Sequence, residues 1–185
     1  MRHRAAGGDL SRLIPGAIWT VACVGTSLIC TFAFACATPL AGLAAAAGLN
    51  LPRRQALAVA GGTWAASQAV GFLFLHYPLT WDCFGWGVAL GAATLLAAVA
   101  ASECSHLRST GARLACALLA AFILYEGALF AVTPILGGEG AFTAAIIWRI
   151  FEINALTLAI LVALRAAFVA LDLPARTVAL LPTRS

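Results

Sequence analysis

Read for polarity alone, the chain alternates long apolar runs with short polar breaks. Apolar residues fill positions 13–35, 55–75, 84–101, 112–132 and about 141–171. Each run is close to the roughly 20 residues that a helix needs to cross a bilayer. A further run, 39–49, is short for a crossing unless it begins before Pro39 or tilts. Its Ala and Gly content suits close packing inside a bundle better than contact with lipid. The pattern predicts an all-α integral membrane protein, a compact bundle of six transmembrane helices forming one domain over 1–185. Residues 1–12 and 172–185 are then terminal segments, and residues 76–83 are the loop between the third and fourth helices.

The first run has a rival reading as a signal peptide, because Ala33-Phe34-Ala35 resembles a small-x-small cleavage site and Cys36 follows it like a lipid-modified cysteine. The run is longer than the usual hydrophobic region of about 7–15 residues, which favours a retained first helix.

Composition sharpens the picture. Hydrophobic residues make up 63% of the chain, charged ones 10%, and the mean hydropathy is +0.98, all outside the range of soluble domains. At 185 residues there is no room for a separate soluble catalytic domain, so any chemistry lies in the bundle or its loops. The net charge of +4 comes from arginine, since the sequence has no lysine. Arg2, Arg4, Arg12, Arg53, Arg54, Arg108, Arg113, Arg165, Arg176 and Arg184 all fall on one side if both termini are cytoplasmic, and the opposite loops hold no arginine. That is a positive-inside pattern and not a nucleic-acid footprint. It places the 76–83 loop on the outer face. No nucleotide-binding motif is present, so ATP can enter only through a separate subunit.

The chemistry concentrates in one break, His76-Tyr77-Pro78-Leu79-Thr80-Trp81-Asp82-Cys83-Phe84-Gly85-Trp86. Cys83 is the one cysteine expected in a polar, aromatic loop; as a thiolate it is a soft ligand, favoured by the start of the following helix. The plainer reading is that the cysteine is incidental, His76 interfacial, and Tyr77, Trp81 and Trp86 an aromatic belt. Cys23, Cys30, Cys36, Cys104 and Cys116 lie in or beside apolar runs without metal-ligand spacing and read as small packing residues.

Below this break, Trp64, Gln68 and Phe72 recur at i, i+4 and i+8 and share a helix face. Glu126, with Tyr125 beside it, and Arg149 fall at depths similar to Gln68, and Glu152 and Asn154 slightly deeper. Charges at such depth are expected to face the interior and to pair, either as a clamp between the fifth and sixth helices or as the lining of a ligand pocket. Gly87 and Gly91 form a GxxxG that suits close packing, as does Gly61-Gly62.

Six spans with an inward N-terminus, together with Gln68-Ala69-Val70-Gly71-Phe72 leading into the 76–87 segment, resemble the BtuM family of small bacterial cobalamin transporters, which are similar in fold to the S-components of energy-coupling-factor transporters. The likeness of layout covers nearly the whole chain, and the sequence likeness about twenty residues. The resemblance implies a protein of the bacterial cytoplasmic membrane that binds cobalamin from the periplasmic side. It implies further that Cys83 ligates the cobalt, and that ligation can displace cyanide from cyanocobalamin. A corrin fills the equatorial positions of cobalt, so one protein donor suffices, and no free metal ion is expected. Trp64, Phe72, His76, Tyr77, Trp81, Asp82, Phe84 and Trp86 are candidates to surround the ring; Gln68, Tyr125, Glu126 and Arg149 are candidates for its amide rim or nucleotide tail. Delivery by periplasmic or outer-membrane cobalamin-binding proteins fits this reading. Ala33 and Ala37 show the Ala-x-x-x-Ala spacing used to dock a shared energising module, but at the outer end of the first helix, which points to transport without that module. The alternatives are an S-component-like transporter for another vitamin or a metal, and a non-transporting membrane subunit whose aromatic loop contacts another protein.

Overall fold

The structure, a computed structural model, describes residues 21, 23–29 and 38–179, and the regular elements among them are all helical. Residues 23–29 are helical, and five α-helices follow: α1 Leu40–Asn50, α2 Arg53–Leu73, α3 Trp81–Glu103, α4 Thr110–Leu136 and α5 Ala144–Ala179. Short 3-10 turns, Cys104–His106 and Glu139–Phe142, precede α4 and α5. Four of these elements, α2, α3, α4 and the Ala144–Ala167 part of α5, are long and apolar enough to cross a membrane. The chain is a multi-pass helical membrane protein. Most of the apolar run 13–35, including the signal-peptide rival at 33–36, lies outside the described residues.

The element that sets the architecture is the shortest. At about 1.5 Å per residue, α1 is only about 16 Å long, roughly half the thickness of a hydrocarbon core. Every residue from Leu40 to Leu49 is buried, and α1 packs against all four of the longer helices. A helix of Ala and Gly suits this central position because it lets neighbouring backbones approach closely. A Cβ at Gly42 would lie 2.5 Å from the Asn154 carbonyl oxygen, and one at Gly48 would lie 2.6 Å from that of Ala98.

The start of α1 is buried, so its backbone N–H groups need partners inside the protein. Leu40 N–H reaches the Thr38 carbonyl at 2.7 Å, and Leu43 N–H the Pro39 carbonyl at 3.0 Å. Gly42 N–H donates to Asn154 Oδ1 at 2.6 Å, while Asn154 Nδ2 donates to the Ile150 carbonyl at 2.9 Å. Asn154, 1% exposed, therefore joins α5 to the central helix through both ends of its amide.

The surrounding helices place small residues inside and large ones outside. In α3 the buried set is Gly87, Gly91, Ala93, Thr94, Ala97, Ala98 and Ala101, while Val88 and Leu96 are exposed. Buried hydroxyls are satisfied within their own helices: Thr63 by the Ala60 carbonyl, Thr94 by Leu90, Thr133 by Phe130 and Thr157 by Ile153. Ser27 Oγ donates to the Thr63 carbonyl at 3.1 Å, fixing residues 23–29 against α2.

Two boundaries differ from the sequence expectation. Helix α3 begins at Trp81, so Trp81, Asp82 and Cys83 belong to its first turn and not to the preceding loop. Thr80 is extended, and Asp82 puts an acidic group where the helix dipole favours one. At the other end of the chain, α5 continues to Ala179, so residues 172–179 extend the helix where a tail was expected.

Removing the Asn154 amide leaves the Gly42 N–H without a partner in the core. Asn154→Ala is expected to destabilise the protein by about 1–3 kcal/mol in detergent unfolding. By contrast, Arg53 and Glu103 meet at 4.0 Å with both side chains more than 60% exposed, and Glu103→Gln is expected to change stability by less than about 0.5 kcal/mol.

Candidate ligand-binding cavity

Among the described residues nothing fills the space beyond the first turn of α1, which is about half as long as a hydrocarbon core is thick. A cavity of about 860 Å³ occupies that space, with Thr38 and Leu40 at the N-terminal end of α1 forming its floor. This volume lies towards the upper end of the roughly 300–1,000 Å³ typical of small-molecule sites. The walls follow helical spacing: Asp82, Cys83, Trp86 and Leu90 on α3, Tyr125, Glu126 and Leu129 on α4, and Ile146, Arg149, Ile150 and Ile153 on α5. Ser67 and Gln68 close the α2 side, and Tyr77, Pro78, Gly138, Ala141 and Phe142 come from the connecting segments.

The mouth is built from aromatic packing. Tyr77 N–H donates to the Gly71 carbonyl at 3.0 Å, and the Tyr77 ring lies so close to Gly71 that a Cβ there would collide with it. The same ring meets Phe72 edge-on, with centroids 6.0 Å apart. Across the cavity, Gly138 adopts φ +93°, a conformation open mainly to glycine, and the Trp86 ring lies close beside it.

Polar groups are graded with depth. Cys83, half-buried, sits in the first turn of α3. Counting along the helices puts Gln68 and Arg149 about 7–8 Å from the nearer ends of α2 and α5, and Glu126 about 15 Å below the end of α4. Glu126 is 9% exposed and forms no hydrogen bond or ion pair among the described residues. Arg149 likewise has no ion-pair partner there. Among the described residues no three His, Cys, Asp or Glu side chains converge in a way that could hold a metal ion.

Of the residues singled out in the sequence, the cavity brings together Gln68, Tyr77, Asp82, Cys83, Trp86, Tyr125, Glu126 and Arg149. Five are placed elsewhere. Trp64 does face α3 as its spacing with Gln68 and Phe72 required, but its Nε1–H donates to the Gly87 carbonyl at 2.8 Å and its ring covers Gly91. The Gly87/Gly91 motif therefore receives an indole from α2. Phe72 stacks on Phe84, with centroids 4.9 Å apart, outside the cavity lining. His76 is exposed at a turn with φ +55°, and Trp81, 70% exposed, points away. At Gly62 a Cβ would meet nothing, so close packing is not what that glycine serves.

The expected pairing of Glu126, Arg149 and Glu152 is not found. Glu152 is exposed and outside the cavity lining, and its carboxylate accepts from Trp148 Nε1–H at 2.8 Å, one turn away. Only Glu126 and Arg149 reach the cavity.

Several lining residues carry no separate signal in so apolar a chain. Ile146, Ile150 and Ile153 share the face of Arg149, and Leu129 that of Glu126, so helical spacing from the two charges would have found them. Sequence spacing also hid a contact at the opposite end of the bundle, where the α3–α4 connection brings Cys104 Sγ within 2.6 Å of Cys116 Sγ.

No family model matches the chain, and comparisons with curated proteins and with solved structures likewise give no match.

Cys83 opens onto the cavity while Cys23 is fully buried and Cys104 is 7% exposed. A water-soluble maleimide applied to the folded protein is expected to modify Cys83 and to leave Cys23 and Cys104 unmodified, as read by peptide mass mapping. Protection of Cys83 to the same degree as Cys23 would contradict this geometry.

Proposed function

We propose that this chain takes up cobalamin across the cytoplasmic membrane of a bacterium, binding the corrinoid from the periplasmic side with Cys83 as an axial ligand of cobalt. The observation that carries this reading is that Cys83 shares one cavity with the rings of Tyr77 and Trp86 and with the polar groups of Gln68, Glu126 and Arg149. A corrin supplies its own equatorial nitrogens, so its cobalt asks the protein for a single donor, and a soft thiolate suits it. The flat ring calls for aromatic and apolar walls. Its amide rim and phosphate-bearing tail call for hydrogen-bonding partners deeper in the site. The cavity supplies both kinds of surface.

The direction of entry follows from charge. Arg53, Arg54, Arg108 and Arg113 gather at the end of the bundle opposite the 76–80 segment, and the positive-inside rule assigns that end to the cytoplasm. The cavity then faces the periplasm, where delivery proteins would release their cargo. Transport proceeds in this reading without a dedicated energising module.

Binding and decyanation are one ligand exchange. The Cys83 thiol loses its proton, and a sulfur lone pair occupies the cobalt position vacated by cyanide. Cyanide leaves with its bonding pair and takes up a proton. Cobalt keeps its oxidation state, so no electron donor is required.

Purified protein exposed to cyanocobalamin is expected to show a visible spectrum distinct from that of the free vitamin. Cys83→Ala should abolish the change and weaken binding by at least about tenfold, equivalent to about 1.4 kcal/mol. The same spectral change in Cys83→Ala would reject thiolate ligation.

A further inference from the structure

A carboxylate held deep in a membrane protein is costly and is ordinarily matched by a partner. Glu126 departs from that rule: it is nine-tenths buried, it lines the cavity, and among the described residues it has neither hydrogen bond nor ion pair. Its oxygens are therefore acceptors left open towards whatever fills the space.

We infer that Glu126 is the group that sets specificity at this site, accepting N–H from the uncharged amide side chains of the ligand and rejecting a ligand that carries carboxylates in their place. The inference rests on the corrinoid reading above and adds the rule by which corrinoids are sorted. Two carboxylates facing one another away from water repel strongly. A buried acceptor that gains an N–H donor is satisfied, and a site built to bond a donor discriminates sharply against an analogue lacking it. Asp82 carries the same charge but lines the cavity from the first turn of α3, nearer the mouth, so among the deeper polar groups Glu126 alone has this preference. Gln68 is neutral and can meet an amide or an acid. Arg149 favours an acid, so a preference for amides has the sign of Glu126 and the opposite sign to Arg149.

The test is equilibrium binding to the full-length protein in detergent, using cyanocobalamin and its separated monocarboxylate isomers, in each of which one peripheral amide has been hydrolysed. Wild type is expected to bind at least one acid isomer about tenfold or more weakly than the parent vitamin. Glu126→Gln should bring that isomer to within about threefold of the parent, Glu126→Asp should preserve the discrimination, and Arg149→Gln should sharpen it. Equal binding of all isomers by wild type, or an unchanged ratio in Glu126→Gln, overturns the inference. Should Glu126→Gln fail to fold, loss of discrimination in Glu126→Asp or its weakening in Arg149→Gln overturns it instead. The two levels fail differently. If wild type binds neither the vitamin nor its acids, the corrinoid reading falls and this inference falls with it. If the vitamin binds with a Cys83-dependent spectral change and the acids bind equally well, only the assignment of Glu126 is lost.

Discussion

The bond between Gly42 N–H and the Asn154 side chain is the constraint on which this structure turns. A helix that begins halfway through a bundle exposes backbone donors where no water is available, and such groups must be paired inside the protein. Asn154 pairs one of them and anchors its own amide to α5. With its start fixed there, α1 fills the half of the core nearer the arginine-rich end and leaves the other half open. The cavity is thus a consequence of where one helix begins.

The longer helices follow the logic of packing in a membrane, where apolar surface gives little reason for one helix to prefer another over lipid. Small residues on the inner faces of α1 and α3 permit close approach, and larger side chains such as Val88 and Leu96 turn outward. The Trp64 indole, seated on Gly91 and bonded to the Gly87 carbonyl, shows the same principle with a side chain in place of a second backbone. Against this frame the polar lining stands out. Thr63, Thr94, Thr133 and Thr157 are satisfied by their own helices, whereas Glu126 and Arg149 are left facing the cavity.

Much of this was legible in the sequence, for physical reasons. Long apolar runs identify membrane helices, and the Ala- and Gly-rich 39–49 run announced a packed interior position. Its half-length was visible too, but the cavity that follows from it was not, because a void is a property of how neighbours fail to meet. Spacing placed Gln68 with Trp64 and Phe72 correctly on one face, yet only Gln68 reaches the cavity, since Trp64 and Phe72 are taken up by Gly87 and Phe84 on α3. The expected pairing of Arg149 with Glu152 is absent although their spacing would allow it, because Arg149 lines the cavity while the Glu152 carboxylate bonds elsewhere. Trp148 supplied Glu152 with a partner that a count of charges does not reveal. Cys83 was expected in a loop and lies in the first turn of α3, where the helix fixes its direction towards the cavity.

In the proposed function, Cys83 near the mouth, the aromatic walls and the polar interior are read as matching a ring-shaped, metal-bearing ligand rich in hydrogen-bonding groups. The most direct measurement is X-ray absorption at the cobalt edge of the protein loaded with cyanocobalamin. Thiolate ligation predicts one sulfur neighbour of cobalt in wild type and none in Cys83→Ala. A cobalt shell of nitrogen, carbon and oxygen alone in the loaded wild-type protein would contradict it.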